Sequence, residues 1–261
     1  MTRVVVLSSC DRLADIACEG LFAPGTGLEL AGILRTRLSA RTRWRLLGSA
    51  HRAGSLFYAR YMAAEMSLPG LWRRRYRPAS IRGEARAAGA PILETTSVNG
   101  GVAAEFVASR RADLVLSVRP GTILRKRLID SVPPVLNVHG SMLPEFRGIA
   151  GVLQALAEGR EELGCSVHLV PDERVDRGPI VSQSRHEVVD GRSVYFHTIR
   201  LYRAAPANLL RAARRTLEGA EPEPNAGGSY FSWPDRADLA RLHARGHRLI
   251  EPRDLDPRNL F

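Results

Sequence analysis

Lysine is almost missing from this chain: Lys126 stands alone against 37 arginines, so its excess positive charge is an excess of guanidinium. A skew of this kind follows the coding composition of a genome, and taken over the whole chain it assigns no partner. Cysteine is scarce as well. Cys10, Cys18 and Cys165 are odd in number and lack ligand-like spacing, which argues against a disulfide framework or a cysteine-built metal site and fits reduced cytoplasmic thiols. Long apolar runs are absent: none approaches the ~18 residues of a membrane span. The N-terminus "MTRVVVLSSC" enters a strand-like run at once, so no signal peptide is expected. What is present, 261 residues with 44% hydrophobic and 25% charged, suits one large α/β domain or one domain with a small appendage.

Buried-strand patterns recur along the chain. "RVVVLSS" (3–9), "LELAGILRT" (28–36), "PILETTSV" (91–98), "ADLVLSV" (112–118) and "PVLNVH" (134–139) are expected strands. Helical windows fall between several of them, notably 100–110 and 149–158. This alternation predicts a Rossmann-like, mainly parallel sheet with helices on both faces. "CSVHLV" (165–170) and "PIVSQSRHEV" (179–188) read as later strands of antiparallel character, and a helix is expected over about 192–218. "EPEPNAGG" (221–228) marks a linker. The expected organisation is a domain over 1–220, then a linker and short C-terminal arm over 221–261.

The charge is concentrated. Residues 35–86 hold thirteen arginines against Glu65 and Glu84, which matches the net charge of the whole chain, +11. Small or apolar residues at Leu47, Ala50, Gly54, Phe57, Tyr61 and Ala64 follow helical spacing, so a basic helical insertion is expected over 37–86. Two readings stand: a solvated insertion packed on the domain, or a surface for an anionic partner such as a nucleotide, a nucleic acid or a membrane face.

Two stretches carry chemistry. In "VLNVHGSMLPEFRG" (135–148), Asn137 and His139 lie two apart at a strand end and share one face, with Leu136 and Val138 on the other. Ligands of open α/β sheets bind outside the carboxyl ends of strands. There a carboxamide can donate to a developing oxyanion, and an imidazole can relay a proton near neutral pH. In "DERVDRGPIV" (172–181), Asp176 either forms an Asx turn or orients an imidazole, and spacing does not separate the two. His168 in "SVHLV" is expected to face the core or the site rim in a structural role.

"NVHGSMLPEFRG" followed by "GCSVHLVPDERVDRGPIVSQ" resembles the folate-dependent formyltransferases. That family shows Asn-x-His, then Ser-Leu-Leu-Pro and Arg-Gly or Lys-Gly, then Asp-x-Gly-x-Ile about forty residues on. Here these become Asn137 and His139, Ser141-Met142-Leu143-Pro144, Arg147-Gly148 and Asp176-Arg177-Gly178-Pro179-Ile180. The resemblance covers residues 90–200 and extends to the first two strands. It implies the formyltransferase fold, with Asn137, His139 and Asp176 as the catalytic trio and 10-formyltetrahydrofolate as formyl donor, with no metal. It places the donor against Thr122, Ile123 and Leu124 and against Asp172, Glu173 and Val175. Ser141, Pro144, Arg147 and Gly148 would shape the pocket or meet substrate.

Departures narrow the acceptor. Members that bind phosphorylated glycinamide have a glycine-rich first loop, where this chain reads "LSSCDRLAD". Methionyl-tRNA formyltransferases carry a sizeable C-terminal barrel, and only 33 residues follow "EPEPNAGG" here. The expectation is therefore an N-formyltransferase acting on a small-molecule primary amine, of a phosphorylated, nucleotide-linked or lipid-linked amino sugar. The alternatives are formyltetrahydrofolate hydrolysis, a methionyl-tRNA-formyltransferase-like enzyme without that barrel, or a non-catalytic polyanion- or membrane-binding protein. A cytoplasmic location is expected. The arginine-rich segment offers contact with a membrane surface or polyanion, and a homodimer is compatible.

Overall fold

The computed structural model describes residues 1–37 and 80–256, and between them only Trp44, Gly48, His51 and Tyr61. Those four positions are helical, Tyr61 is 5% exposed and joins the core, and residues 81–86 at the end of the expected insertion are helical too; its other positions between 38 and 79 lie outside the described residues.

Seven strands form the main sheet: β1 (Thr2–Ser8), β2 (Leu28–Thr36), β3 (Ile92–Thr95), β4 (Leu114–Val118), β5 (Val135–His139), β7 (Glu162–Leu169) and β8 (Ile180–Glu187). Their order is β3-β2-β1-β4-β5-β7-β8, parallel through the first five and antiparallel for the last two. Two three-residue strands, β6 (Phe146–Gly148) and β9 (Ser229–Phe231), pair in parallel beside it. The α/β reading of the sequence therefore holds.

Alternation explains why the sheet is covered on both sides. Val4 and Val6 join one apolar cluster while Val5 and Leu7 join the other, as the two-residue period of a strand requires. The larger cluster gathers the helices α1 (Arg12–Cys18), α2 (Ile81–Ala87), α5 (Gly151–Ala157), α6 (Val194–Leu217) and α7 (Arg236–Ala244). The smaller one holds α3 (Gly101–Ser109) and the short α4 (Lys126–Ile129). α6 starts at Ser193, whose hydroxyl accepts from Phe196 N at 2.9 Å, an N-cap that sets its first turn. β3 is shorter than the expected 91–98, because the Thr95 hydroxyl accepts the Ser97 amide at 3.0 Å and folds the chain into a turn. Among the described residues no helix is long and apolar enough to cross a membrane.

β1 and β4 are neighbours, yet the chain leaves β1 toward β2 on one side and enters β4 on the other. That is the topological switch point, where the carboxyl ends of the strands open a crevice. β5 lies one strand further on.

Candidate active site

Asn137 and His139 occupy alternate positions of β5, with Ser117 of β4 and His168 of β7 directly opposite Asn137. The Ser117 hydroxyl donates to Asn137 Oδ1 at 3.0 Å. Asn137 Nδ2 then faces His168 Nε2 at 3.2 Å. His168 Nδ1 lies 2.7 Å from Leu169 O; a carbonyl only accepts, so Nδ1 carries the hydrogen and Nε2 is the acceptor. One amide hydrogen of Asn137 is thus spent on His168, and the second points away from both partners.

His139 follows the same logic. Its Nε2 lies 2.8 Å from Phe146 O and 2.6 Å from Ser141 Oγ, and the Ser141 hydroxyl itself donates to Phe146 O. Nε2 must therefore carry a hydrogen, which leaves Nδ1 as the nitrogen that can gain or lose a proton. Nδ1 stands 3.6 Å from Asp176 Oδ2, and the two side chains each expose only 11% of their surface. Asp176 Oδ1 lies 3.6 Å from His168 Nε2, so one carboxylate looks at both imidazoles.

Burial alone would raise the Asp176 pKa, but the charge of a protonated His139 beside it and the hydrogen bond from the Gly148 amide hold it well below the usual carboxylate range. Its backbone has φ of +54°, a left-handed conformation that aspartate tolerates better than most residues. The carboxylate accepts from Gly148 N at 2.9 Å. Asp176 is therefore more than a turn-former.

The loop after β5 hangs on Ser166, the residue opposite His139. Leu143 N donates to Ser166 Oγ at 3.1 Å, Ser166 donates to Ser141 O at 2.8 Å, and Gln183 Nε2 reaches Leu143 O at 2.7 Å. Ser141 is buried against His139, and Pro144 turns its carbonyl toward Gly228. Arg147, expected to shape the pocket or meet substrate, is fully buried. Its guanidinium donates to Asp176 O at 3.0 Å, to Asn225 O and Oδ1 at 3.1 and 3.0 Å, and to Gly227 O. Gly148 is needed where it stands: a Cβ there would fall 2.1 Å from Phe231 O, at φ of +94°.

The two stretches expected to meet the formyl donor lie together. Glu173 accepts from Lys126 N and from Arg125 Nη1, each at 2.8 Å, so its carboxylate staples the 172–176 loop to the 121–126 loop. That side chain is occupied by the protein itself. Asp172 is likewise taken by Arg174, whose amide and guanidinium both donate to it. Leu124 is 5% exposed and belongs to the smaller core, whereas Thr122 and Ile123 are exposed and Val175 is half-buried. Asn99 shapes this loop from outside, donating to Ile123 O at 3.0 Å and accepting from Arg125 N at 2.8 Å. An exposed isoleucine and a half-buried valine beside peptide edges fit a flat, partly apolar ring system such as the pterin.

At the switch point, Cys10 and Arg119 both have positive φ, +53° and +49°, where Ser9 N donates to Arg119 O at 3.1 Å. Asp11 caps α1 by accepting from Ala14 N at 3.0 Å, and Arg119 Nε reaches both its oxygens, at 3.1 and 2.9 Å. Arg119 also donates to Tyr202 OH at 3.3 Å and lies over that ring. Tyr202 closes on the peptide after His139, since a Cβ on Gly140 would stand 3.3 Å from it. On the opposite rim, Tyr230 is half exposed; burial and then the charge of Asp176 push its hydroxyl pKa up.

Reading by motif brought together Asn137, His139, Ser141 and Asp176 and put His168 at the core or the site rim, but passed over Ser117, Ser166, Asn99 and Asn225. "CSVHLV" held a signal for two of these residues: Ser166 and His168 alternate as Asn137 and His139 do, so an antiparallel partner presents both to the same face.

The Formyl transferase family model matches residues 87–212. The chain is 30% identical over 175 residues to methionyl-tRNA formyltransferase of Anaeromyxobacter dehalogenans strain 2CP-1, covering 67% of this chain and 55% of that protein. Its aligned stretches span 36% to 55% of the first curated relatives. Glycinamide ribonucleotide transformylase 1 from Symbiobacterium toebii superposes with a TM-score of 0.58 at 25% identity, over 84% of this chain and 89% of that one. A 4-N formyltransferase from Francisella tularensis shares the fold, with a TM-score of 0.60 at 13% identity, over 96% and 89%. With its fold and its central 126 residues both accounted for in this way, the chain carries a formyl transferase domain and is a relative of the folate-dependent formyltransferases.

Proposed function

We propose that this protein moves a formyl group from 10-formyltetrahydrofolate to a primary amine. The observation that carries the reading is Asn137, whose amide is oriented on two sides by Ser117 and His168 so that one N–H remains for an oxygen gaining negative charge. A donor aimed in advance at that oxygen is typically worth ~3 kcal/mol of barrier. The bound folate supplies an electrophilic formyl carbon. Thr122, Ile123, Leu124 and Val175 would hold it, through peptide edges and apolar contact.

The protein's own groups then manage the proton. His139 Nδ1 takes it from the attacking amine, because Nε2 is committed to Phe146 O and Ser141. Asp176 stabilises the resulting imidazolium, and its depressed pKa keeps it ionised across the neutral range. His139 can return the proton to the departing nitrogen.

The acceptor we propose is the amine of a nucleotide-linked or lipid-linked amino sugar. Arginine pairs with phosphate through two parallel N–H groups, and thirteen arginines lie in residues 35–86. The first loop supports an acceptor other than phosphorylated glycinamide: the N-terminus of α1 is already capped by Asp11, and that carboxylate is matched by Arg119.

The test is release of tetrahydrofolate from 10-formyltetrahydrofolate, alone and with nucleotide-linked amino sugars, lipid-linked amino sugars, amino acids and charged tRNA in turn. Release with an amino-sugar class alone is the expected result. Release with charged tRNA alone would replace the acceptor, and release with no amine would make the protein a hydrolase. No release under any condition, with the folate shown to bind, would overturn the transferase reading.

A further inference from the structure

The stretch "NAGGSY" (225–230) has the composition of a flexible connector, and its position after α6 invites that reading. It is built otherwise. Asn225 makes four hydrogen bonds: Nδ2 donates to Asp176 O at 3.0 Å and to Gly178 O at 2.7 Å, while Oδ1 and the backbone carbonyl accept from the buried Arg147. Gly227 O accepts from the same guanidinium. Gly228 passes so close to Pro144 that a Cβ would fall 1.7 Å from its carbonyl oxygen, and β9 then pairs with β6. The chain is clamped here from both sides.

We infer that Asn225 is a positioning residue for Asp176, and that the arm segment 225–231 is the back wall of the active site. Asp176 holds a left-handed backbone conformation, and its carbonyl is gripped by two donors, Arg147 Nε and Asn225 Nδ2. With the peptide held there, the carboxylate meets Gly148 N and stands 3.6 Å from His139 Nδ1. Asn225 also binds Gly178 O, where the loop turns back toward β8 and a Cβ would fall 1.8 Å from Leu169 O. One amide thus ties together both carbonyls that bracket the turn and the guanidinium behind it. Asn225 touches no reacting atom; it acts through Asp176. The effect on catalysis rests on the formyl-transfer reading, whereas the effect on Asp176 geometry does not.

Two variants of the full chain separate positioning from space-filling. Asn225→Ala removes the amide. Asn225→Asp keeps the shape and the acceptor that faces Arg147 but loses both N–H donors. The geometric readout is hydrogen exchange of the Gly148 amide, which Asp176 protects, with the Val115 and Leu116 amides of β4 as the control for intact folding. In both variants Gly148 is expected to exchange at least about tenfold faster while β4 is unchanged. With the amine that the wild type turns over, kcat at pH 8 is expected to fall by about ten- to a hundredfold, with the KM for the folate within about twofold. If Asn225→Ala does not fold, Asn225→Asp, which needs no repacking, decides. Wild-type protection of Gly148 in the isosteric variant would overturn the inference. Wild-type turnover tests the transferase reading separately: its absence would sink that reading and leave the exchange result standing.

Discussion

Asn137 illustrates how much a single side chain depends on its neighbours. An unconstrained carboxamide can turn by half a rotation and present an oxygen where a donor is needed. Ser117 and His168 prevent this, one donating to Oδ1 and the other accepting from Nδ2. Two substitutions should therefore differ in size. Asn137→Ala removes the donor, and kcat is expected to fall by about 10²–10³. His168→Phe keeps the donor but releases its orientation, and we expect a smaller loss, about tenfold, from an amide that spends part of its time reversed. Single-turnover rates at saturating folate check the order. If His168→Phe costs as much as Asn137→Ala, His168 does more than orient the amide, and its 3.6 Å approach to Asp176 is the place to look.

At the scale of elements, the β6–β9 pair decides how the arm meets the domain. Gly228 has φ of +66° and no room for a Cβ beside Pro144 O, while Gly219 has a similar φ, +69°, with open space around it. Gly219→Ala measures the backbone cost alone, about 1 kcal/mol. Gly228→Ala adds a clash with a backbone that cannot yield without breaking the pair, and about 2–4 kcal/mol is expected. Urea unfolding of the two variants makes the comparison; equal losses would mean that the arm does not need its close seat. This pair also marks the boundary of what the sequence revealed. The parallel strands were legible because each is a short apolar run whose alternate residues feed two cores, and Asn137 and His139 were legible because their two-residue spacing is local. The contact between Arg147 and Asn225 was not. The partners lie 78 residues apart in the chain, and a glycine pair reads as freedom when its real cause is close approach. His168 was legible only as a structural residue at the core or the site rim, because a lone histidine in a strand has many uses and only the β5–β7 register puts it opposite Asn137.

At the scale of the whole molecule, the question is how the fold keeps its shape where the basic segment leaves and returns. On the departing side, Arg37 N donates to Thr95 O at 2.9 Å, which extends the β2–β3 ladder to the end of the sheet. On the returning side, Asp15 of α1 accepts from Ile81 N, the first residue of α2, at 3.1 Å. Asp15 is thus the post to which the re-entering chain is tied. Burial pushes its pKa up to about 6, against the opposing effects of the Ile81 amide and the nearby Arg12. The native state therefore holds this proton more tightly than the unfolded chain, whose aspartates titrate near ~3.9. The group's contribution is at its most favourable below about pH 4 and is lost as pH rises through about 6, a swing on the order of 3 kcal/mol. Asp15→Asn keeps an oxygen for Ile81 N and carries no charge to desolvate, so it should remove the swing. Urea unfolding of both proteins at pH 5 and pH 8 isolates the effect: the variant should be the more stable at pH 8, with the advantage shrinking toward pH 5. An advantage independent of pH would show that the carboxyl of Asp15 is not titrating in this range.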